Sequence, residues 1–487
     1  MFSLSNFKQL SLCEQVSELN NLSFQKPVKF LELLKEHFDL KTFIPESFTN
    51  HYYSDLGKNR EFQLSSILAA LFIMHIFNIP TSSLLCIFLS FSPYIREFCQ
   101  LCDKVPDDSF FSRFKTTFEK DIANMFDAMV PHILNICAQI DNDLPNDSPN
   151  KGLASMLIYD TSGLKPKVKE NNPKTLVSEI NKQKAYAKLI NNENFNPYAV
   201  AYKNMPKHAE CNPDIKLDFV NGHFGYFYKF GMLTNGFGIP VRIHFFDKDF
   251  YASVKSEFET PEEQKYEFDN ASLKPVVKPF VESLTHFKFN YFLGDSEFDS
   301  YDNFGLLKSC GFERVFIPIN PRNTKNSDNP VIKTDASGTP LCPETEEEFL
   351  PDGSCKGEKR SFRLKYVCPK SVKVKGKWIC TCESPCRPTK STVTTYKYPD
   401  KDFRMYPGIQ RSSTEWVKTY KRRAVIEREL ASLKKNPSID APRTVNTVTM
   451  RSDLYLAAIT KLITVILAHA INQPQYLGSI NKLMKAA

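Results

Sequence analysis

Several features that would place this chain in a membrane or outside the cell are missing from its sequence. Residues Met1 to Leu10 hold no positive cluster leading into an apolar stretch, so no secretory signal is expected. A run of about 20 predominantly apolar residues, the minimum for a bilayer span, is also missing. Segment 67–79 is interrupted by His75 and Asn78 and stops before Pro80, and segment 454–471 carries Lys461 and His469. Both read as buried helices, and no membrane partner is expected. No internal repeat is found, which argues against a solenoid. The 13 cysteines are odd in number and lack a secretory context. A disulfide framework is therefore not expected, and a reducing, cytoplasmic location is. Charge of one sign is modest: the net value is +8 over 487 residues, compatible with a nucleic-acid partner without requiring one.

What is present is an ordinary globular balance, 42% hydrophobic and 24% charged, in a chain long enough for two or three domains. Residues 1–140 read as helical, with apolar periodicity near 28–37, 64–79, 84–89 and 118–140. Within them, Val105-Pro-Asp-Asp-Ser-Phe-Phe-Ser-Arg113-Phe-Lys115 reads as a turn, an N-cap and a basic helix start. A capped helix in a bundle and a base-reading helix both fit that segment. The polar stretch 141–152 is the linker. Residues 153–322 mix strands and helices. A strand over 156–160 comes first, then two strands over 224–233 and 239–246 joined through Asn235-Gly236, a hairpin signal. A helix over 276–284, a strand over 289–295, a helix over 301–309 and a strand over 314–319 follow. Residues 323–413 form an irregular, cysteine-rich insertion, and 414–487 return to helix.

The chemistry-bearing pattern lies in Tyr420-Lys-Arg-Arg423-Ala-Val-Ile-Glu427-Arg-Glu-Leu-Ala-Ser-Leu-Lys434. On one continuous helix Tyr420, Arg423, Glu427 and Lys434 fall within an arc of about 60°, bordering the apolar face of Ile426, Leu430 and Leu433. Arg423 and Glu427, four apart, also have the spacing of an ordinary surface ion pair. The Y-x2-R-x3-E-x6-K spacing resembles the signature of bacterial insertion-sequence transposases of the DDE type. That resemblance implies an α+β fold with a ribonuclease H-like mixed sheet flanked by helices, here with an N-terminal helical domain (1–140) and a Cys-rich insertion. It also implies two aspartates and one glutamate that bind divalent metal and cut and join DNA ends. The partners expected from it are transposon ends and target DNA, bound by a homodimer.

Asp160, closing the 156–160 strand, and Asp295, closing the 289–295 strand, are the candidate aspartates beside Glu427. Each segment has a plainer reading: Asp160 as an Asx turn into Thr161-Ser-Gly, and Asp299 followed by Asp302 as a helix N-cap. Asp299 is the residue best placed to cap that helix. Asp295 is preferred for the site because it ends the strand, although Glu297 stands where the family usually has Gly. Three carboxylates brought together repel, about 4 kcal/mol per pair at 4 Å and an effective dielectric of 20. Hard oxygen donors suit Mg2+ or Mn2+, two ions in this chemistry. Tyr420, Arg423 and Lys434 are expected to hold DNA phosphates, as are Lys229 on the hairpin and Lys165 and Lys167 in the loop after Asp160.

Six cysteines, Cys342, Cys355, Cys368, Cys380, Cys382 and Cys386, crowd the insertion. Cys368, Cys380, Cys382 and Cys386 are a candidate set for a structural Zn2+. Reduced, partly buried thiols explain the same spacing. Two further readings remain: a non-catalytic DNA-binding protein derived from a transposase, and a zinc-dependent interaction module.

Overall fold

A computed structural model describes residues 29–54, 59–190, 195–220, 223–255, 268–320, 334–343, 345–357, 360–383 and 393–486. Its centre is a mixed sheet of seven strands: β1 (Met156–Leu164), β2 (His208–Ala209), β3 (Asn212–Val220), β4 (His223–Asn235), β5 (Pro240–Phe245), β6 (Tyr291–Leu293) and β7 (Arg314–Phe316). The order is β2-β3-β4-β1-β6-β7, with β5 on β4. β1 runs antiparallel to β4 and parallel to β6, and β6 runs parallel to β7. The fold is thus a mixed α+β one. Met156 to Tyr159 are buried without alternation, as expected of a strand covered on both faces.

The hairpin, the helix Leu273–Ser283 and the helix Tyr301–Ser309 lie where their sequence signals put them. In the hairpin, Asn235 Oδ1 accepts from the backbone of Phe237 and Ile239. The left-handed residue of this turn is Gly238 (φ 82°), not Gly236. Four differences stand out. β1 does not stop at Asp160 but continues to Leu164, because β4 pairs with it along that length, from Leu157↔Asn235 to Leu164↔Tyr228. Only 291–293 and 314–316 of the two later strands are laddered. Asp299 does not cap the next helix. Ser300 does, accepting from Asn303 N, while Asp299 is fully buried against Arg404 at 2.7 and 2.8 Å. Finally, a helical hairpin, Pro173–Ile190 and Pro197–Asn204, rises between β1 and β2 where only a basic loop is expected.

The N-terminal part is helical. Asp107 caps Asp108–Thr117, its carboxylate accepting from Phe110 N at 2.6 Å. Lys115 of that helix turns inward to a buried pair with Asp453 (2.9 Å) on the long helix Thr447–Ala470. By length and composition the latter helix could cross a bilayer, but 83% of its most apolar window is buried within the protein. It packs on Glu119–Asp143 and Leu64–Ile76, so one core runs from Phe30 to Leu483 through both the helices and the sheet. A second, small core contains Phe349, Leu364, Tyr366, Cys342, Cys368 and Cys380. It covers a three-stranded sheet of Leu350–Gly357, Arg360–Val367 and Thr394–Lys397.

Candidate active site

Parallel register brings the two aspartates together. Ile158 and Leu293 are the last paired residues of β1 and β6. Asp160 and Asp295 each stand two residues beyond, where β1 has lost its neighbour on that side. There the sheet opens into a cleft of about 710 Å³ lined by Asp160, Asp295, Glu427, Ser162, Lys229 and Lys434, among others. Asp295 also starts the short helix Ser296–Phe298, with Ser296 N donating to its Oδ1.

The third acid arrives on a segment that is not one continuous helix. Thr414–Tyr420 is α-helical, 421–423 form a 3₁₀ turn, Ala424–Leu433 is α-helical, and Lys434 is its C-cap. Ile426, Leu430 and Leu433 are buried and fix which side faces the cleft. Arg423 and Glu427 do form the i,i+4 pair that their spacing allows, at 2.5 Å. The same guanidinium donates to Asp160 Oδ2 at 3.1 Å and lies 3.6 Å from Asp295 Oδ2. Three carboxylates from three distant parts of the chain thus meet on one cation, which offsets their mutual repulsion.

The exposure of the three acids is graded: 19% for the Asp160 side chain, 40% for Asp295 and 52% for Glu427. Burial pushes the Asp160 carboxyl up to about 6, against Arg423 and the Thr161 N–H, which favour its anion. Burial opposes the charge of Arg423, but Asp160 and Asp295 outweigh it and leave the guanidinium raised. The donor set is hard and anionic, of the kind Mg2+ and Mn2+ take. With the guanidinium among them, however, no three acidic, His or Cys side chains among the described residues stand close enough to hold a metal ion. Their oxygens are of the kind these ions take, but Arg423 occupies the space between them.

Around this core the phosphate-binding candidates separate. Lys434 reaches across to Ser162 Oγ (2.8 Å), and burial lowers its ammonium pKa. Lys229 lines the same cleft and is paired with Asp218 at 3.0 Å. Tyr420 stacks on Trp416, with ring centroids 4.8 Å apart, and burial raises its phenol. Lys165 and Lys167 are exposed at the foot of the helical hairpin rather than in the cleft. Lys165 stands over the Phe227 ring, and the Lys167 backbone donates to Pro442 O. Sequence reasoning missed Ser162 and Asp218. Ser162 was findable, since i and i+2 on a strand share a face with Asp160. Of the candidate zinc ligands, Cys368 and Cys380 are buried in the second, small core, Cys382 is half-buried beside it, and Cys386 lies outside the described residues.

Residues 19–117 match the family described as Transposase domain (DUF772). This supports a transposase-related protein, and with it DNA transposition and interaction with DNA in general terms. The match ends before β1 and includes no residue of the cleft. No curated protein matches the chain.

Proposed function

We propose that the protein is a DDE transposase of the Y-x2-R-x3-E-x6-K group with a ribonuclease H-like core, cutting the ends of its element and joining them to target DNA. One observation carries this reading: Asp160, Asp295 and Glu427 converge on the Arg423 guanidinium at the open end of the parallel strands. A cation already sits where a divalent ion and a phosphodiester would be needed. Mg2+ or Mn2+ held by these three acids, two ions per site, would supply the Lewis acidity that in-line displacement at phosphorus requires.

The chain's own residues supply the rest. Lys434, poised on Ser162 Oγ, offers a point charge to a phosphate oxygen, and Arg423 offers paired donors once released from the carboxylates. Lys229 adds a third cation to the cleft wall. In the first step water attacks phosphorus, the P–O3′ bond breaks, and the departing 3′ oxygen takes a proton to become a 3′-OH. In the second, that hydroxyl attacks a target phosphodiester, and the 3′ oxygen of the broken target strand leaves with a proton in turn. A homodimer on DNA would present two such clefts to two ends.

The test uses DNA carrying the inverted repeats that flank the coding region. Asp160→Ala, Asp295→Ala and Glu427→Ala should each abolish cleavage and strand transfer, by about a thousandfold or more, while still binding DNA. An alanine variant that cuts and joins as well as wild type sinks the proposed site, whereas wild-type protein that binds these ends but never cuts them leaves a non-catalytic DNA-binding protein. The insertion carries a separate proposal: a structural Zn2+ bound through Cys368, Cys380 and Cys382, which would have to draw together around the ion, with Cys386 as the fourth candidate. Metal analysis of protein purified without chelator should find about one zinc per chain; zinc-free, folded protein refutes it.

A further inference from the structure

The positive charge of this chain is concentrated in one place. Between 165 and 207 there are nine lysines and three glutamates, a net +6 against +8 for all 487 residues. All nine lysines are exposed. Among the described residues only Lys169 and Lys182 are held in ion pairs, with Glu210 and Glu179. This segment is the helical hairpin that rises directly from the end of β1, the strand of Asp160.

The hairpin is a built element rather than a loose lysine-rich loop. Asn171 at its foot donates to Pro166 O and Tyr226 O and accepts from Tyr226 N. The buried Glu170 accepts from Glu210 N. Tyr202 of the second helix stacks on Phe224 of β4, centroids 3.9 Å apart. Both ends are thereby fixed to the sheet that carries the cleft. On the first helix, Lys174, Val177, Asn181, Lys184 and Lys188 recur at steps of three and four, and every one is exposed. They form one stripe about 21 Å long, the rise of 14 helical residues, comparable to about six base pairs of duplex at 3.4 Å each.

We propose that this hairpin is a duplex-DNA clamp. Its lysine stripe grips phosphates of the strands entering the carboxylate cleft, without reading their sequence. The proposal rests on the reading of the chain as a DNA-processing enzyme and adds a binding element to it. Lysines offering point charges without planar donors suit phosphate contact rather than base readout. An anionic membrane surface is the competing partner, and the distribution of apolar side chains disfavours it. Val177, Tyr186, Leu189 and Ile190 are exposed, but on the helical wheel they spread over about 220° instead of forming one apolar face.

The test is equilibrium binding of the full-length protein to a short duplex of arbitrary sequence across a salt series, in EDTA so that nothing is cut. The triple variant K174E/K184E/K188E should bind about tenfold more weakly or worse. Its log–log salt slope should flatten by roughly 2 to 3, at about 0.9 per lost phosphate contact. K174R/K184R/K188R, which keeps the charge, should match wild type. The circular dichroism and melting of both variants should be unchanged, since the positions are exposed. Wild-type affinity and slope in the charge-reversed protein overturn the clamp and leave the carboxylate reading intact. A wild-type protein that binds no duplex overturns both. Tighter binding to vesicles of equal parts phosphatidylcholine and phosphatidylserine than to DNA, lost on charge reversal, overturns the clamp in favour of a membrane surface.

Discussion

Arg423 holds together three groups that would otherwise repel, and its removal should be felt before any DNA is present. Arg423→Ala leaves Asp160, Asp295 and Glu427 facing one another, at a cost of roughly 1–3 kcal/mol. Millimolar Mg2+ should then raise the thermal midpoint of the variant more than that of wild type, because in wild type the ion must first displace the guanidinium. Equal shifts in the two proteins would mean that the carboxylates do not share a cation site. The two aspartates were legible as candidates because each follows an apolar run. Their meeting was expected only through the resemblance, since it depends on the pairing of Ile158 with Leu293, and nothing within either segment encodes that register.

At the level of elements, the packing of β1 against β4 fixes where Asp160 stands. Gly231, opposite Thr161, lies under the Tyr159 phenol, whose hydroxyl hydrogen-bonds Ser272 Oγ at 2.8 Å. A Cβ at Gly231 would sit 2.1 Å from the Tyr159 oxygen. Gly231→Ala should therefore cost about 1–3 kcal/mol through overpacking, read as a lower urea midpoint with unchanged m-value; an unchanged midpoint would show that β1 and β4 do not pack this tightly. Elements set by local chemistry were readable: the Asp107 cap, the Asn235 hairpin and the 301–309 helix. Those decided by distant partners were not. Thr161-Ser162-Gly163 looks like a turn in isolation and becomes strand only because β4 lies alongside. The hairpin between β1 and β2 escaped notice because its lysines mask the apolar spacing that announces a helix.

Across the whole molecule, His75 connects the N-terminal helices to the end of the Glu427 segment. Asn436 uses its carbonyl oxygen to accept from Ser438. Its amide nitrogen, 3.0 Å from His75 Nδ1, must therefore donate, which makes that ring nitrogen an acceptor and the imidazole neutral. Burial pushes the His75 pKa down to about 4, against the pull of nearby Asp453. Between that value and the ordinary 6.5 the unfolded chain binds a proton that the folded one refuses. Stability should thus fall as pH drops through 6.5 and level off below about 4, by up to about 3 kcal/mol. His75→Gln should flatten this slope relative to wild type in denaturant titrations between those pH values. Parallel slopes would show that the imidazole is not held neutral.

The buried pair of Lys115 and Asp453 joins residues 338 positions apart, on helices that share the core. During synthesis the ribosome must therefore release the chain past residue 470 before the early helices gain the 447–470 segment that covers them. Until then the nascent chain exposes the apolar surfaces of 64–76 and 119–143, a natural substrate for chaperones.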